Sequence, residues 1–281
     1  MRKTALMLGA ALLTQLSGLA FAADLPVYKA RPPAPAPAWS WTGFYGGANV
    51  GYGWDQRDVG LSIGTTDPAT FAGFLDDFRR SGSVPQSLSP SARGAVGGLQ
   101  IGYNWQTNAT WLFGLEADIQ GVGIKGSDTQ ARFPQFFDAT STSVEKKIEW
   151  FGTVRARLGV LPAPWLLLYA TGGLAYGKTG FSFNVTDPKS GCIADATLCA
   201  TGSSSSVKVG WTAGGGIEAA MWNNWTFKAE YLYVDLGSRS VDIAAFTVPA
   251  IFYTPTTDFR EHIVRVGVNY HFNAGPVVAK Y

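Results

Sequence analysis

Apolar and polar residues alternate with a period of two through most of the chain after residue 43. In Ala95–Trp105, one face carries Ala, Gly, Leu, Ile, Tyr and Trp, and the other carries Val, Gly, Gln and Asn. Alternation over about ten residues is the pattern of a strand that separates an apolar from a polar environment. The chain contains eight such segments: Phe44–Trp54, Ala95–Trp105, Phe113–Gln120, Ile148–Leu158, Trp165–Phe183, Val207–Glu218, Thr226–Tyr233 and Val264–Phe272.

The connections between these segments alternate between long and short. The long ones are Asp55–Ser91, Gly123–Glu145, Asn184–Ser206 and Ser238–Asp258, and the short ones are Thr107–Ala109, Leu161–Pro164 and Trp222–Asn224. Long outer loops and short periplasmic turns are typical of outer-membrane barrels, which pair every backbone group without leaving an edge. The sequence therefore predicts an all-β fold, an eight-stranded antiparallel up-and-down transmembrane β-barrel with four long outer loops and both termini in the periplasm.

Composition supports this prediction. The chain has 34 Gly, 10 Trp, 11 Tyr and 17 Phe, which suit curved sheets and the aromatic belts of membrane barrels. After the N-terminal segment no stretch of 18 apolar residues remains for a helical span. The net charge of +2 gives no reason to expect a nucleic-acid partner.

The N-terminus predicts export. Residues 1–22 combine Arg2 and Lys3, an apolar run and the small-x-small site Ala20-Phe21-Ala22, as in a cleaved signal peptide. Residues 23–40 are rich in Pro and Ala and read as a periplasmic tether, because such a segment is stiff and cannot join a sheet. Residues 41–272 form the predicted outer-membrane barrel, and 273–281 are a C-terminal extension.

Charged residues lie on the faces that the alternation directs into the barrel lumen. The predicted lumen charges are Glu116, Asp118, Arg155, Arg157, Lys208, Glu218, Lys228, Glu230 and Arg265. Unpaired buried charge is costly, and an eight-stranded barrel is just wide enough for its own side chains. A static salt-bridge network that fills the lumen is therefore favoured over a narrow charged constriction that passes small ions.

The two histidines are expected to lie far apart. The strand phase places His262 towards lipid near the outer rim, and His271 in the lumen near the periplasmic end. No serine nucleophile stands out beside His262 and Glu261, and no metal-ligand spacing is present. We therefore expect no enzymatic activity, no metal and no cofactor.

The outer loops carry three further features. Residues 67–80 place Phe and Leu at helical spacing behind Asp67-Pro68, which predicts a short helix over the barrel mouth. Cys192 and Cys199 are expected to form a disulfide in an oxidising compartment. Four apolar residues of the last loop either pack on neighbouring loops or form a contact site: Phe246, Ile251, Phe252 and Tyr253.

Three segments carry a family resemblance: Trp41–Gly53, Glu230–Gly237 (EYLYVDLG) and Val264–Phe272. With them the chain resembles the small outer-membrane immunogenic, porin-like proteins of alphaproteobacteria, within the OmpA-like barrel group. The resemblance implies an eight-stranded barrel with structural or porin-like roles and no established enzymatic chemistry. It departs from the usual pattern at the end, where nine residues, Asn273–Tyr281, follow Phe272, the aromatic residue of the last strand.

Three functional hypotheses follow. The first is a structural and surface-interaction barrel with a largely closed lumen, the second a small-solute porin, and the third a receptor that binds a ligand through its apolar outer loops. The expected partners are outer-membrane lipid and lipopolysaccharide, the outer-membrane assembly machinery and a possible surface ligand.

Overall fold

The computed structural model describes residues 39–135, 139–187, 192, 198–222 and 224–272. The predicted signal peptide, the tether up to residue 38 and the C-terminal extension lie outside the described residues. In chain order the elements are β1 (Gly43–Asp55), β2 (Val59–Thr65), α1 (Pro68–Arg80), β3 (Ser87–Leu88), β4 (Ala92–Gln106), β5 (Trp111–Val122), β6 (Lys125–Arg132), β7 (Thr140–Ala163), β8 (Leu166–Thr186), β9 (Ala200–Ala220), β10 (Trp225–Ser240), β11 (Ile243–Ala244) and β12 (Ile251–His271).

Eight long strands form a closed antiparallel ring in the order β1, β4, β5, β7, β8, β9, β10 and β12. The ring closes where β1 pairs with β12, from Tyr45 opposite His271 to Trp54 opposite His262. Each strand pairs with its neighbour in the chain order of the long strands, which is the up-and-down arrangement. The predicted eight-stranded barrel is confirmed.

The strands extend beyond the predicted segments into the outer loops. The predicted loop Gly123–Glu145 contains β6, which pairs with the first residues of β7 from Lys125 opposite Lys147 to Arg132 opposite Thr140. The predicted loop Ser238–Asp258 contains β11 and the first residues of β12. β6 is largely polar, so it lacks the apolar face that identified the membrane strands, although its backbone pairing continues.

The predicted helix in the first loop is confirmed as α1. The side chain of Asp67 caps it by accepting a hydrogen bond from the Thr70 amide at 3.2 Å, and a proline follows within the first turn. Leu75 and Phe78 are its buried residues. No helix in the described ranges is long and apolar enough to cross a membrane.

The two faces of the ring differ in chemistry. Large apolar side chains are exposed on the outside, for example Leu99, Leu174 and Val209. The extracellular half of the interior is packed with apolar side chains, including Ile63, Leu75, Phe78, Leu88, Ile148, Phe151, Phe183, Leu232, Ile243, Tyr253 and Ile263. We call this group the outer core.

One predicted strand phase is wrong. Alternation along Ile148–Leu158 predicts that Ile148 shares the lipid-facing side with Trp150, Val154 and Leu158. In the structure Ile148 is instead buried in the outer core. The pairing of β7 with β8 shifts register between Ile148 and Trp150. A bulge of this kind moves every residue beyond it to the opposite face, which strict alternation does not reveal.

Candidate functional site

Eight charged side chains form a single layer inside the barrel. Each of these side chains is fully buried. The layer contains Glu116, Asp118, Glu218 and Glu230 together with Arg155, Arg157, Lys228 and Arg265. Four acidic and four basic groups therefore balance one another.

Glu116 is the centre of this layer. Its carboxylate accepts hydrogen bonds from Lys228 Nζ at 3.1 Å and from Arg155, and it lies 3.5 Å from Arg157 Nη1. The Tyr45 hydroxyl donates to it at 2.7 Å. Chain positions far apart in sequence are thus joined through one carboxylate.

Two arginines connect the remaining acids. Arg155 donates to Glu230 and to Asp118, each at 3.0 Å. Arg265 donates to the same two acids, at 2.6 Å to Glu230 and 2.9 Å to Asp118. These paired contacts satisfy charges that burial would otherwise make costly.

Arg157 lies in an aromatic and acidic setting at one side of the layer. It donates to Glu218 and to the Tyr45 hydroxyl, each at 2.7 Å. Its guanidinium also lies 3.9 Å from the centre of the Tyr169 ring. Tyr45 and Tyr169 were not among the predicted site residues, although Tyr45 falls on the polar face of its strand.

One of the nine predicted lumen charges, Lys208, lies outside the charged layer. It is on the inner phase of β9, but it lies three residues beyond Trp211, towards the extracellular end, and donates to the backbone carbonyl of Ser238. Alternation fixes the face on which a side chain lies and leaves its height along the strand open. Lys208 therefore belongs to the mouth of the barrel and not to the charged layer.

Glycines make room for the large lumen side chains. A Cβ atom added to Gly102 would lie 2.3 Å from the Tyr45 hydroxyl, and one added to Gly216 would lie 2.7 Å from the Tyr169 hydroxyl. A Cβ atom added to Gly51 would lie 2.7 Å from Cβ of Arg265. These glycines are part of the site, because any larger residue would displace a member of the network.

An apolar and aromatic group closes the periplasmic end. It comprises Trp41, Leu112, Leu161, Leu167 and Tyr169, with Trp39 and Ala220 against it; we call it the floor cluster. Trp41 donates from its indole to the carbonyl of Pro164 at 3.0 Å, in a short turn. His271 stacks on Tyr45 and meets both tryptophans edge to face. Trp39, which the sequence assigned to the tether, therefore packs into the barrel.

The extracellular end of the lumen holds a second ion pair. Lys146 donates to Asp55 and to the carbonyl of Asp258, and both side chains of the pair are buried. Glu261 is buried in the same region. Lys146 and Asp55 were missed because both lie at the predicted strand ends, where the alternation fades.

The two histidines lie at opposite ends of the barrel. His262 is on the outer face, where it stacks on Trp54 and shares a 2.7 Å hydrogen bond with the Tyr231 hydroxyl. His271 is buried in the lumen at the floor cluster. Within the described ranges no group of three or more His, Cys, Asp or Glu is arranged to hold a metal ion.

The four apolar residues of the last loop do not form one surface. Ile251 and Tyr253 are buried in the outer core, and Phe252 is half-buried. Phe246 alone of the four is mostly exposed, at 55%. Ile251 and Tyr253 are therefore packing residues, because they fall on the inner face of β12.

The predicted disulfide is present in the third loop. Cys192 and Cys199 are bonded, with their Cα atoms 5.8 Å apart. Cys199 is buried and directly precedes β9. The bond therefore ties the loop to the start of that strand.

The chain matches the family described as "Outer membrane protein beta-barrel domain" over residues 9–272. It belongs to this family of outer-membrane β-barrel proteins. A relative, the 31 kDa outer-membrane immunogenic protein of Brucella melitensis, is 41% identical over 255 residues, covering 90% of this chain and 93% of the relative. The 22 kDa outer membrane protein of Rhizobium leguminosarum bv. viciae is 29% identical over 237 residues, covering 84% of this chain and 80% of the relative. The outer-membrane location and the alphaproteobacterial resemblance are confirmed.

Solved structures also resemble this barrel. OprG from Pseudomonas aeruginosa has a TM-score of 0.41 at 12% identity, covering 82% of this chain and 97% of OprG. Neisserial surface protein A has a TM-score of 0.34 at 14% identity, covering 82% of this chain and 98% of that protein.

Proposed function

We propose that this protein is a structural barrel of the outer membrane whose lumen is closed at rest. The observation that carries the proposal is the charged layer itself. Its four acids and four bases are fully buried and paired with one another. An ion that entered would have to separate these pairs, which costs several kcal/mol for each charge left unpaired.

The packing above and below the layer supports the same proposal. The floor cluster fills the periplasmic end and the outer core fills the extracellular half. Apolar packing of this kind opposes the entry of a hydrated ion, and the ion pair of Lys146 with Asp55 at the extracellular end is itself buried. The role supported best is therefore structural, with contacts made by the outer wall and the loops.

The deciding experiment is single-channel recording of the refolded mature protein in a planar bilayer. We expect no steady current from wild-type protein, with the folded state checked by its heat-dependent shift in electrophoretic mobility. A stable, large conductance from folded protein would refute closure.

A narrow ion path is the second candidate function. It is favoured by buried polar atoms that have no hydrogen-bond partner among the described residues, including Arg155 Nε, Arg265 Nη1 and Asp118 Oδ1. If these atoms line a path, Asp118→Asn will change the ion selectivity of any small current. Unchanged selectivity in a conducting barrel would reject this path.

A further inference from the structure

Four basic residues form a row on the outer wall of the barrel. Arg93 on β4 lies opposite Lys125 on β6, and Lys125 lies opposite Lys147 on β7. Lys178 on β8 completes the row through Glu149, whose carboxylate is 3.2 Å from Lys147 and 2.7 Å from Lys178. All four lie outside the lumen and are exposed or half-buried. We call them the basic row.

This arrangement is unfavourable without a counter-ion. Like charges directly opposite each other on neighbouring strands destabilise a sheet, and the row contains two such pairs. Glu149 neutralises part of the positive charge of Lys147 and Lys178. On β7, Glu145 lies one outward-facing position further from the membrane than Lys147. Among the described residues, neither Arg93 nor Lys125 has a carboxylate within ion-pair distance. An external anion would relieve this repulsion.

The height of the row matches the head groups of the outer leaflet. Trp150 and Tyr176 contact each other edge to face on the same strands, just nearer the membrane. Below them the wall is apolar, with Leu174 61% exposed. Aromatic residues mark the interface between hydrocarbon and head groups, so cations just outside them face the charged parts of the lipids.

Above the row the outer wall becomes polar, and Glu145 is the acidic residue nearest the row. A shallow recess of about 640 Å³ lies there between β6, β7, β8 and β9. Most of its lining consists of hydroxyl and amide groups, such as those of Ser127, Ser182 and Asn184, and the carboxylate of Glu145 also lines it. Gly180 lies between the recess and Lys178. The side chain of Lys147 lies across Gly180, because a Cβ atom added to Gly180 would be 2.6 Å from Lys147 Cε. Going outward from the membrane, the surface of the wall is thus first apolar, then basic and then rich in hydroxyl groups.

The opposite wall lacks this sequence of surfaces. There Arg260 pairs with Asp235 at 2.9 Å and lies 3.8 Å from Asp258, so two acids surround one base. An anion would gain nothing at this position. The basic excess is specific to the side formed by β4, β6, β7 and β8.

We propose that this side binds an acidic glycolipid of the outer leaflet. Its acyl chains would lie on the apolar wall, its anionic groups on the basic row, and its sugars in the hydroxyl-lined recess. The proposal is independent of lumen closure, because none of its residues belongs to the charged layer. A conducting barrel would leave it intact.

The test is titration of the refolded protein with diphosphoryl lipid A in zwitterionic detergent, with bound lipid counted by native mass spectrometry. Lys125→Gln/Lys147→Gln should weaken binding roughly tenfold to thirtyfold, since each cation near a charged lipid surface contributes about 1 kcal/mol. The control Arg80→Gln/Arg132→Gln removes the same charge from exposed positions elsewhere and should leave binding within about threefold. Equal losses from both pairs, or no loss from either, would overturn the proposal.

Thermal stability supplies a second test, because lipid A should reverse the order of the thermal midpoints of the wild type and Lys125→Gln. Without lipid A, Lys125→Gln should raise the thermal midpoint, because it removes cross-strand repulsion. With lipid A the wild type should become the more stable of the two. Phosphatidylglycerol and inorganic phosphate are run in parallel, and if either reproduces the reversal in full, the site is not specific for a glycolipid. Absence of any reversal would also count against the site.

Discussion

Glu116 shows how one residue can hold a barrel interior together. Its carboxylate contacts Tyr45, Arg155 and Lys228 directly. These partners come from three other strands of the ring. Removing its charge therefore affects several cations at once and cannot be compensated by water, because the site is fully buried.

We expect Glu116→Gln to destabilise the barrel by about 3–5 kcal/mol, the usual cost of leaving buried partners uncompensated. Urea unfolding in detergent micelles, followed by tryptophan fluorescence, measures this loss. Glu145→Gln is the matched control, since Glu145 is exposed on the outer wall and should change stability by no more than about 0.5 kcal/mol. Similar values for both variants would show that the charged layer is not a stabilising centre.

The lumen glycines give a second test at the same scale. Gly102→Ala should cost about 1–3 kcal/mol, because the added carbon would meet the Tyr45 ring and hydroxyl and force them aside. Gly97→Ala is the control on the same strand, as its added carbon would meet nothing closer than 3.6 Å. The two variants are compared by the same urea unfolding. A neutral Gly102→Ala would mean that Tyr45 moves freely and does not lock the layer.

Among the elements, α1 depends on an ionisable cap. Hydrogen bonds from the Thr70 side chain and from the Thr70 amide hold the pKa of Asp67 below its ordinary value. Because the folded pKa is the lower one, the cap stabilises α1 above the ordinary pKa of about 3.9 and loses this effect as the pH falls through the folded pKa.

Amide hydrogen exchange of α1 tests this cap. Asp67→Ala should speed exchange in the first turn at neutral pH, and exchange in the wild type should rise towards that of Asp67→Ala as the pH falls below about 4, after correction for the intrinsic rate. Asp67→Asn keeps a capping oxygen and should remove the pH dependence. If Asp67→Asn retained the full pH dependence, another group would be responsible.

The comparison of elements also shows what the sequence could and could not predict. The membrane strands and α1 were predictable, because a lipid-facing stripe and a capped amphipathic turn leave strong patterns. The bulge after Ile148 and strand β6 were not, because a register shift has no residue signature and the outer extensions are polar on their exposed face. For the site, alternation identified the eight charges but could not exclude Lys208 or show that Tyr45 and Tyr169 join them.

At the scale of the whole molecule, the interior is a stack of three layers: the floor cluster, the charged layer and the outer core. The three layers share the long strands at different heights: β7 supplies Leu161 to the floor cluster, Arg155 to the charged layer and Ile148 to the outer core. The outer core also recruits α1 and β2 from the first loop. Because each layer fills the lumen by itself, damage to one leaves two others in place.

This redundancy predicts that damage to one layer lowers the stability of the barrel without opening it to ions. Leu75→Ala/Phe78→Ala should lower stability by about 2–5 kcal/mol for each side chain, since both are buried in the outer core. The same double variant should remain silent in a planar bilayer, because the charged layer and the floor cluster are untouched. Steady current from this variant would show that the outer core alone closes the barrel.

The seam between β1 and β12 has a consequence for how quickly the protein folds. This pairing joins the first and the last strands of the barrel, so it has the largest sequence separation in the ring. Contacts between distant parts of a chain form slowly, because a long loop must be ordered before they form. Closing the seam is therefore the late step of folding, and β1 keeps an open edge until β12 arrives. The tryptophans that meet His271 edge to face report the moment of closure, since they find this partner only when the final strand is in place.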